Sequence, residues 1–192
     1  MNQETCRILL VDASVERSDA LSAALQEGGY SDIVSCDPSS LSHELLYEAN
    51  PSIVLIDVES PSRDTLEQLV FIRDHSPRPV VLLSQSESVQ SIHAAIQSGV
   101  SAYITESISP SQARPIIEAA MATFSAFQSL RRELSDTKTQ LENRKVIDRA
   151  KGIVMKREGV PEDVAYHRMR RFAMDRKLTL ADVARKIVEL HA

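Results

Sequence analysis

Short apolar runs alternate with helical patterns over the first 110 or so residues of the chain. The runs are rich in Val, Ile and Leu and lack the polar alternation of a half-exposed strand, which is typical of a parallel sheet covered on both faces. The predicted strands cover residues 7–12, 33–36, 52–57, 79–84 and 100–105. The helices that follow them are predicted over residues 13–27 and 39–50, through Leu66, Leu69, Val70 and Ile72, over about residues 87–98, and from 109 or 110 onwards. The pattern therefore predicts an α/β fold of flavodoxin type, with a doubly wound five-stranded parallel sheet.

The last helix of this region has no clear stop. No proline follows Pro115 and no glycine precedes Gly152 within it. Apolar side chains recur there at alternating steps of three and four, which is heptad spacing over about two repeats. The spacing predicts a coiled-coil linker over residues 123–143 and a homodimer, and a long helix that packs on its own chain is the alternative. The predicted dimerisation residues are Phe127, Leu130, Leu134 and Leu141, with Thr137 at the remaining heptad position.

Two shorter amphipathic helices follow. Gly159 and Pro161 break the long helix, and proline suits the first turn of the next one, predicted over about residues 162–175. Thr179 is predicted to cap a third helix through residues 180–188. The side chains expected in the core of this three-helix domain include Met155, Val164, Ala165, Met169, Phe172, Ala173 and Met174.

The net charge of the chain changes sign within the predicted long helix. Residues 1–125 hold 17 acidic and 6 basic side chains, a net charge of −11, and residues 126–192 hold 10 acidic and 16 basic ones, a net charge of +6. We therefore predict an acidic α/β domain over residues 1–122 and a basic all-α output domain over residues 131–192, which overlaps the linker helix. A basic domain on an acidic protein favours a polyanionic partner, and a solvated surface of mixed charge is the alternative.

Composition excludes several classes of protein. No apolar run approaches the roughly 18 residues of a membrane span, so no membrane association is expected. The first residues lack the pattern of an export signal. Cys6 and Cys36 match no zinc or redox spacing, so we expect reduced thiols in a cytoplasmic protein. No catalytic triad, metal cluster or phosphate-binding loop is visible, so no enzymatic activity is expected.

Polar side chains end three of the predicted strands. Asp12 ends the first, Asp57 the third and Ser84 the fourth. Because the carboxyl ends of parallel strands meet at one edge of the sheet, we expect the two carboxylates to be neighbours with the hydroxyl beside them.

These strand ends resemble the receiver domain of bacterial response regulators, over roughly residues 5–122. The similarity is carried by ILLVDA, VLIDVESP, PVVLLS and GVSAYITES. The resemblance implies that Asp57 matches the phosphoacceptor and Asp12 the first of two paired magnesium-binding acids. It further implies that Ser84 matches the switch hydroxyl and Tyr103 the switch aromatic.

Two positions depart from the receiver pattern. Ala13 replaces the second paired acid, and Glu106 replaces the lysine that follows the switch aromatic by three residues. Mg²⁺ needs several oxygen ligands, and the lysine neutralises phosphoryl oxygens. We therefore predict a pseudo-receiver that needs no cofactor, in which Asp57 is an inherited acid. Mg²⁺ at Asp12 and Asp57 is expected only if Asp57 is phosphorylated, with Glu59 lending an oxygen ligand.

The most specific stretch of the chain is LENRKVIDRAKGIVMKREG at residues 141–159. Together with VAYHRMRRFAM at residues 164–174 and LADVARKI at residues 180–187, it resembles the ANTAR domain, the RNA-binding output module of AmiR- and NasR-type antiterminators. A receiver-like domain before this module is similar to the NasT-like regulators of nitrate and nitrite assimilation. The resemblance implies that the partners are tandem hairpins in a nascent leader mRNA and a nitrate-sensing protein that sequesters the regulator. The degenerate receiver favours that partner over a histidine kinase.

Basic side chains cluster on the predicted helices of this domain. Helical spacing places them in two adjacent rows of the long helix and in a group on the second helix. Guanidinium and ammonium groups suit phosphates, and guanidinium planes also stack on splayed bases. Tyr166 is a weaker candidate for stacking, with a core position as the alternative. The candidate RNA contacts are Arg144, Lys145, Arg149, Lys151, Lys156, Arg168, Arg170 and Arg171.

Two other functions are alternatives. A DNA-binding response regulator phosphorylated at Asp57 would use a helix-turn-helix, and residues 179–185 could open one. No recognition helix follows them before Ala192, so DNA is not the expected partner. An interaction module that acts only through the acidic domain is the other alternative.

Overall fold

A computed structural model describes residues 6–191 of the chain. Five parallel strands form one sheet in the order β2-β1-β3-β4-β5. The strands are β1 (Ile8–Asp12), β2 (Ile33–Cys36), β3 (Ile53–Val58), β4 (Val80–Ser84) and β5 (Ala102–Ile104). The predicted doubly wound α/β fold is confirmed.

Seven α-helices lie in the part of the chain that the structure describes. They are α1 (Val15–Glu27), α2 (His43–Ala49), α3 (Arg63–His75), α4 (Val89–Ser98), α5 (Pro110–Glu158), α6 (Glu162–Arg176) and α7 (Leu180–Glu189). Pro161 is the N-cap of α6 and therefore precedes the first turn in which it was expected.

The boundaries of the elements shift by a few residues from the prediction, and α2 and β5 are two examples. The helix predicted over residues 39–50 is a short 3-10 helix, Pro38–Ser40, followed by α2. Ser42 accounts for the break, because its Oγ accepts a hydrogen bond from the backbone N of Leu45 at 3.2 Å and so starts a new helix. The strand predicted over residues 100–105 is shorter, since only Ala102–Ile104 pair with β4.

The sheet has a core on each face. Alternate residues of one strand point to opposite faces, so Ile8 and Leu10 pack on one side and Leu9 and Val11 on the other. The first face is covered by side chains of α1 and the N-terminal part of α5, and the second by side chains of α2, α3 and α4. Burial on both faces explains why the strands are apolar along their whole length.

The chain divides into two compact units, residues 1–128 and 129–192. The 49-residue α5 contributes residues to both units. The limits predicted for the domains, 1–122 and 131–192, stay predictions, and their outer ends lie outside the described residues. No helix among residues 6–191 is long and apolar enough to cross a membrane.

The second unit has a small core. Ala150 of α5, Met169 of α6 and Ala184 of α7 are buried, and aliphatic side chains of the three helices surround them. The prediction for Met169 is thus confirmed. The prediction for Met174 is wrong, because the buried positions of α6 are Ala165, Met169 and Ala173, at steps of four, and Met174 falls outside that stripe with 70% exposure.

Candidate functional site

The carboxyl ends of β1, β3 and β4 meet at one edge of the sheet, as predicted. Asp12 pairs with Asp57 in the register of β1 and β3, and Val58 pairs with Ser84 in the register of β3 and β4. A cleft of about 470 Å³ lies at this edge, and its lining includes Asp57, Ser84 and Glu106. The structure therefore brings the predicted phosphoacceptor-like residues together.

Asp12 is held by the beginning of α1. Its Oδ1 accepts hydrogen bonds from the backbone N of Ser14 at 2.7 Å and from Nη2 of Arg17 at 2.9 Å, and its Oδ2 accepts from Nε of Arg17 at 3.5 Å. The Asp12 side chain is 0% exposed, whereas that of Arg17 is 32% exposed. Nη1 of Arg17 also lies 3.6 Å from Oε1 of Glu59. One guanidinium therefore neutralises a buried carboxylate and reaches a second, exposed one.

The sequence explains why Arg17 reaches Asp12. Ser14 is the N-cap of α1 and accepts from the backbone N of Arg17, so that Arg17 lies in the first turn. Long side chains of a helix point back toward its N-terminus, which here means toward the end of β1. The hydrogen bond with Asp12 outweighs burial and raises the pKa of Arg17.

Asp57 lacks a comparable partner. No group among residues 6–191 donates a hydrogen bond to its carboxylate. Burial, and secondly the charge of Asp12, raise the pKa of Asp57, while Arg17 acts in the opposite direction. The negative charge of Asp57 is therefore only partly compensated.

The two switch positions are tied to the same segment. The buried Ser84 donates its hydroxyl to the carbonyl oxygen of Glu59 at 3.1 Å and accepts from the backbone N of Ser86 at 3.2 Å. Oη of Tyr103 donates to the carbonyl oxygen of Ser86 at 2.8 Å. The peptide groups of Ser86 are thus held by both side chains.

Six of the eight candidate RNA contacts are exposed, and within residues 6–191 they make no hydrogen bond or salt bridge. They lie on α5 and α6 of the second unit. Their charges are available to an outside anion. The six residues are Arg144, Lys145, Arg149, Lys156, Arg170 and Arg171.

Lys151 and Arg168 differ from the other six. Nζ of Lys151 donates to Oδ1 of Asp148 at 2.8 Å and to Oε1 of Glu162 at 2.6 Å, and its side chain is only 16% exposed. These hydrogen bonds, first the one with Asp148, raise the pKa of Lys151. Arg168 forms a salt bridge with Glu158. Both cations join α5 to α6 within the unit, and their predicted contact with RNA stays a prediction.

An apolar groove of about 350 Å³ lies between the three helices of the second unit. Phe172 lines it and is half-exposed, so its predicted place in the core is wrong. The guanidinium of Arg176 lies 5.4 Å from the Phe172 ring centroid. This cation–π contact stabilises the ring at a partly exposed position. Tyr166 is half-buried and meets His167 edge to face, with 6.0 Å between ring centroids.

The predicted dimerisation residues lie uncovered on α5. Their exposed fractions range from 54% to 70%. More than half of each side chain is exposed, and their role in a dimer stays a prediction. They are Phe127, Leu130, Leu134 and Leu141.

Two family models match the chain. The response regulator receiver domain matches residues 8–118, which is more than half of the chain, and the ANTAR domain matches residues 135–188. The chain belongs to the ANTAR response regulators. Both families are regulatory rather than enzymatic.

The ANTAR response regulator is similar along most of its length to the transcriptional regulatory protein PdtaR of Mycobacterium tuberculosis. The two are 30% identical over 184 residues, which covers 95% of this chain and 89% of PdtaR. The receiver domain of RstA from Klebsiella pneumoniae superposes with a TM-score of 0.53 at 22% identity, covering 60% of this chain and 97% of the domain. A CheY-like receiver from Methanospirillum hungatei has a TM-score of 0.53 at 18% identity, covering 63% of this chain and 97% of that one. At these identities the two solved structures show the fold alone.

The cleft of this ANTAR response regulator does not fit a magnesium ion as it stands. Both carboxylate oxygens of Asp12 already accept hydrogen bonds from Ser14 and Arg17, and Ala13 supplies no oxygen. Glu106 adds a negative charge to the lining where a phosphoryl anion would have to enter. Within residues 6–191, no group of three or more metal-ligating side chains is suitably placed for a metal ion.

Arg17 is the functional candidate that the sequence interpretation did not include. A cation in the first turn of a helix faces the positive end of the helix dipole, which is unfavourable without a partner. Arg17 occupies such a position five residues after the strand-ending Asp12. That combination is a signal in the sequence that could have identified it.

Proposed function

We propose that this ANTAR response regulator binds tandem hairpins of a nascent leader mRNA in the cytoplasm and acts as a transcription antiterminator. The observation that carries the proposal is the group of six exposed cations on α5 and α6 that have no hydrogen-bond or salt-bridge partner among residues 6–191. Phosphate oxygens of RNA are the complementary charge, and guanidinium groups also stack on unpaired loop bases. The half-exposed ring of Phe172 adds an aromatic surface in the same unit.

A homodimer would match the tandem arrangement of the hairpins, because each copy carries one ANTAR domain. The exposed heptad side chains of α5 support this part of the proposal, since apolar residues at a/d spacing form two-stranded coiled coils. In the dimer, Leu130 and Leu134 would lie at the interface between the two copies.

A sensor protein that sequesters the regulator, rather than a histidine kinase, is the proposed source of control. The ion pair of Asp12 with Arg17 and the presence of Glu106 in the cleft support this choice, because both oppose magnesium-dependent phosphorylation of Asp57. The assignment to nitrate or nitrite assimilation genes stays a prediction of the sequence resemblance. Identification of the bound transcripts in cells would test it.

The decisive experiment compares binding of the full chain to a tandem-hairpin leader RNA and to duplex DNA of equal length across a salt series. The test variant is Arg149→Ala with Arg170→Ala, and the matched control is Arg63→Ala with Arg114→Ala in the acidic unit. We expect preference for RNA, a loss of at least about tenfold in RNA affinity for the test variant, and a salt slope lower by about 2, one for each cation lost. The control should bind like the unsubstituted protein.

Equal affinity for RNA and DNA would show that the six cations form a basic surface that binds nucleic acids non-specifically. Unchanged RNA affinity of the test variant would contradict their role as contacts.

The dimer is tested by sedimentation of the chain with Leu130→Glu and Leu134→Glu. We expect this variant to be monomeric, because charges at a/d positions repel across the seam. Thr139→Glu, an exposed position of the same helix outside the heptad positions, is the control and should leave the dimer intact. A dimer that survives both glutamates would place the interface elsewhere.

A further inference from the structure

We propose that Arg17 is the resident cation of the cleft: its guanidinium occupies Asp12 in place of a divalent metal, and the cleft becomes a metal site only when Arg17 is removed. The RNA binding proposed above does not depend on this inference, since it concerns the second unit, whereas the proposed control by a sensor protein rests in part on the same ion pair.

The contacts of Asp12 carry the first step. A metal ion would need a lone pair of this carboxylate, but Oδ1 accepts two hydrogen bonds and Oδ2 accepts the Nε–H of Arg17. With the guanidinium in place, the Asp12 side chain is completely buried. A metal ion that approached Asp12 would therefore have to displace the guanidinium first.

The second step is the tether. Arg17 is fixed to the end of β1 through α1, whose N-cap residue Ser14 donates its backbone N–H to Asp12 and accepts from the backbone N of Arg17. A cation held in this way competes with a free ion at a high effective concentration. Its presence also does not vary with the magnesium concentration of the cell.

The third step concerns what remains when Arg17 is removed. Asp12 and Asp57 hold paired positions on neighbouring strands, which lie about 4.8 Å apart, so their carboxylates can share one ion. The exposed carboxylate of Glu59 lies beside them, within 3.6 Å of the present position of the guanidinium. Without the guanidinium, Asp12 and Asp57 form a two-carboxylate site of the kind that Mg²⁺ and Mn²⁺ bind, because Mg²⁺ commonly takes one or two carboxylates and keeps several water molecules.

The test is Mn²⁺ binding by the full chain, followed by electron paramagnetic resonance of the free ion, together with thermal melting with and without MgCl₂. Arg17→Gln removes the charge and keeps a hydrogen-bonding side chain, and Arg63→Gln is the control for loss of a surface charge. We expect Arg17→Gln to bind Mn²⁺ at least about tenfold more tightly, because a positive charge a few ångströms from a divalent ion is removed. Its Tm should rise with Mg²⁺, and those of the unsubstituted chain and the control should not.

Asp12→Asn added to Arg17→Gln should abolish the gained binding, which locates the ion at Asp12. Circular dichroism shows whether Arg17→Gln folds. If it does not, Arg17→Lys, which keeps the charge but loses the planar fork, replaces it and should bind Mn²⁺ several-fold more tightly than the unsubstituted chain. Equal Mn²⁺ affinity of the folded variant and the unsubstituted chain would overturn the proposal, and so would gained binding that survives Asp12→Asn.

Discussion

Arginine lies in two different settings in the two units of this protein. In the first unit, Arg17 contacts a fully buried carboxylate and a second acidic group of its own chain. In the second unit, Arg149 and Arg170 are exposed and have no hydrogen bond or salt bridge within the described residues. The same side chain therefore compensates internal charge in one unit and is available to an external anion in the other. Net charge alone does not distinguish these two uses, because only the pairing tells which charges remain available.

The second unit also contains both paired and unpaired cations. Lys151 and Arg168 are paired between α5 and α6, as Arg17 is paired in the first unit. The four predictions below ask whether polar groups with a partner inside the protein stabilise the fold while unpaired charges serve binding.

The largest effect is expected at the buried carboxylate. Asp12→Ala removes the acceptor of two Arg17 hydrogen bonds and one from Ser14, and should lower the free energy of unfolding by about 2 kcal/mol. Asp136→Ala, at an exposed position of α5, should change it by less than about 0.5 kcal/mol. Urea denaturation of both variants measures the difference. Similar small effects would show that the buried ion pair contributes no more than a surface charge.

A smaller effect is expected from a neutral polar group. Thr179 caps α7, with its Oγ1 accepting from the backbone N of Asp182 at 3.1 Å, and the Asp182 carboxylate accepts from Thr179 in return. Thr179→Ala should lower the free energy of unfolding of the second unit by about 1 kcal/mol. Thr139→Ala, within α5, is the control and should not destabilise the helix. Equal unfolding curves would mean that this cap is dispensable.

Substitution of a paired cation of the second unit should change the Tm, and substitution of an unpaired one should change RNA affinity. Lys151→Met should lower the Tm by a few degrees, because α5 loses its contact with Glu162, and should change RNA affinity little. Arg149→Ala should leave the Tm unchanged and weaken RNA binding. Melting curves and anisotropy titrations of the two variants test this. A loss of RNA affinity in Lys151→Met at unchanged Tm would instead identify Lys151 as a direct contact.

The smallest effect is expected at Asp57. Its pKa in the folded state is raised by burial and by Asp12, so the charged form is disfavoured and Asp57→Asn should raise the Tm slightly at neutral pH. The gain should disappear as pH falls through the raised pKa, because the carboxyl is then protonated and neutral like the amide. A pH series of melting curves measures it. Stabilisation that persists at acidic pH would assign the effect to something other than charge.

Much of the fold follows from local pattern. The strands were predictable because burial on both faces leaves uninterrupted apolar runs, and the meeting of Asp12 and Asp57 follows from the parallel sheet. The cap at Thr179 was predictable because threonine directly before an amphipathic helical pattern is a preferred N-cap residue. The break at Ser42 was not, since a serine within a helical pattern carries no sign of which backbone N–H it will accept from.

The charged pairs were less predictable than the strands. Lys151 meets Glu162 across a helix junction, 11 residues away, and the partner of Arg17 lies on a strand rather than on its own helix. Met174 was placed in the core because methionine often fills core space, but the buried positions of α6 are Ala165, Met169 and Ala173, at steps of four that leave Met174 out. Such pairings depend on how elements pack, which periodicity alone does not determine.

Ser86 offers a practical opportunity for sensor engineering. Its N–H binds the hydroxyl of Ser84 and its carbonyl oxygen binds the hydroxyl of Tyr103, so any displacement of this residue is shared by both side chains. Val89, the first residue of α4, follows three positions later and has an exposed side chain. A fluorophore attached at position 89 would therefore turn a shift of either side chain into an optical signal, at a distance in sequence from the cations proposed to hold the RNA.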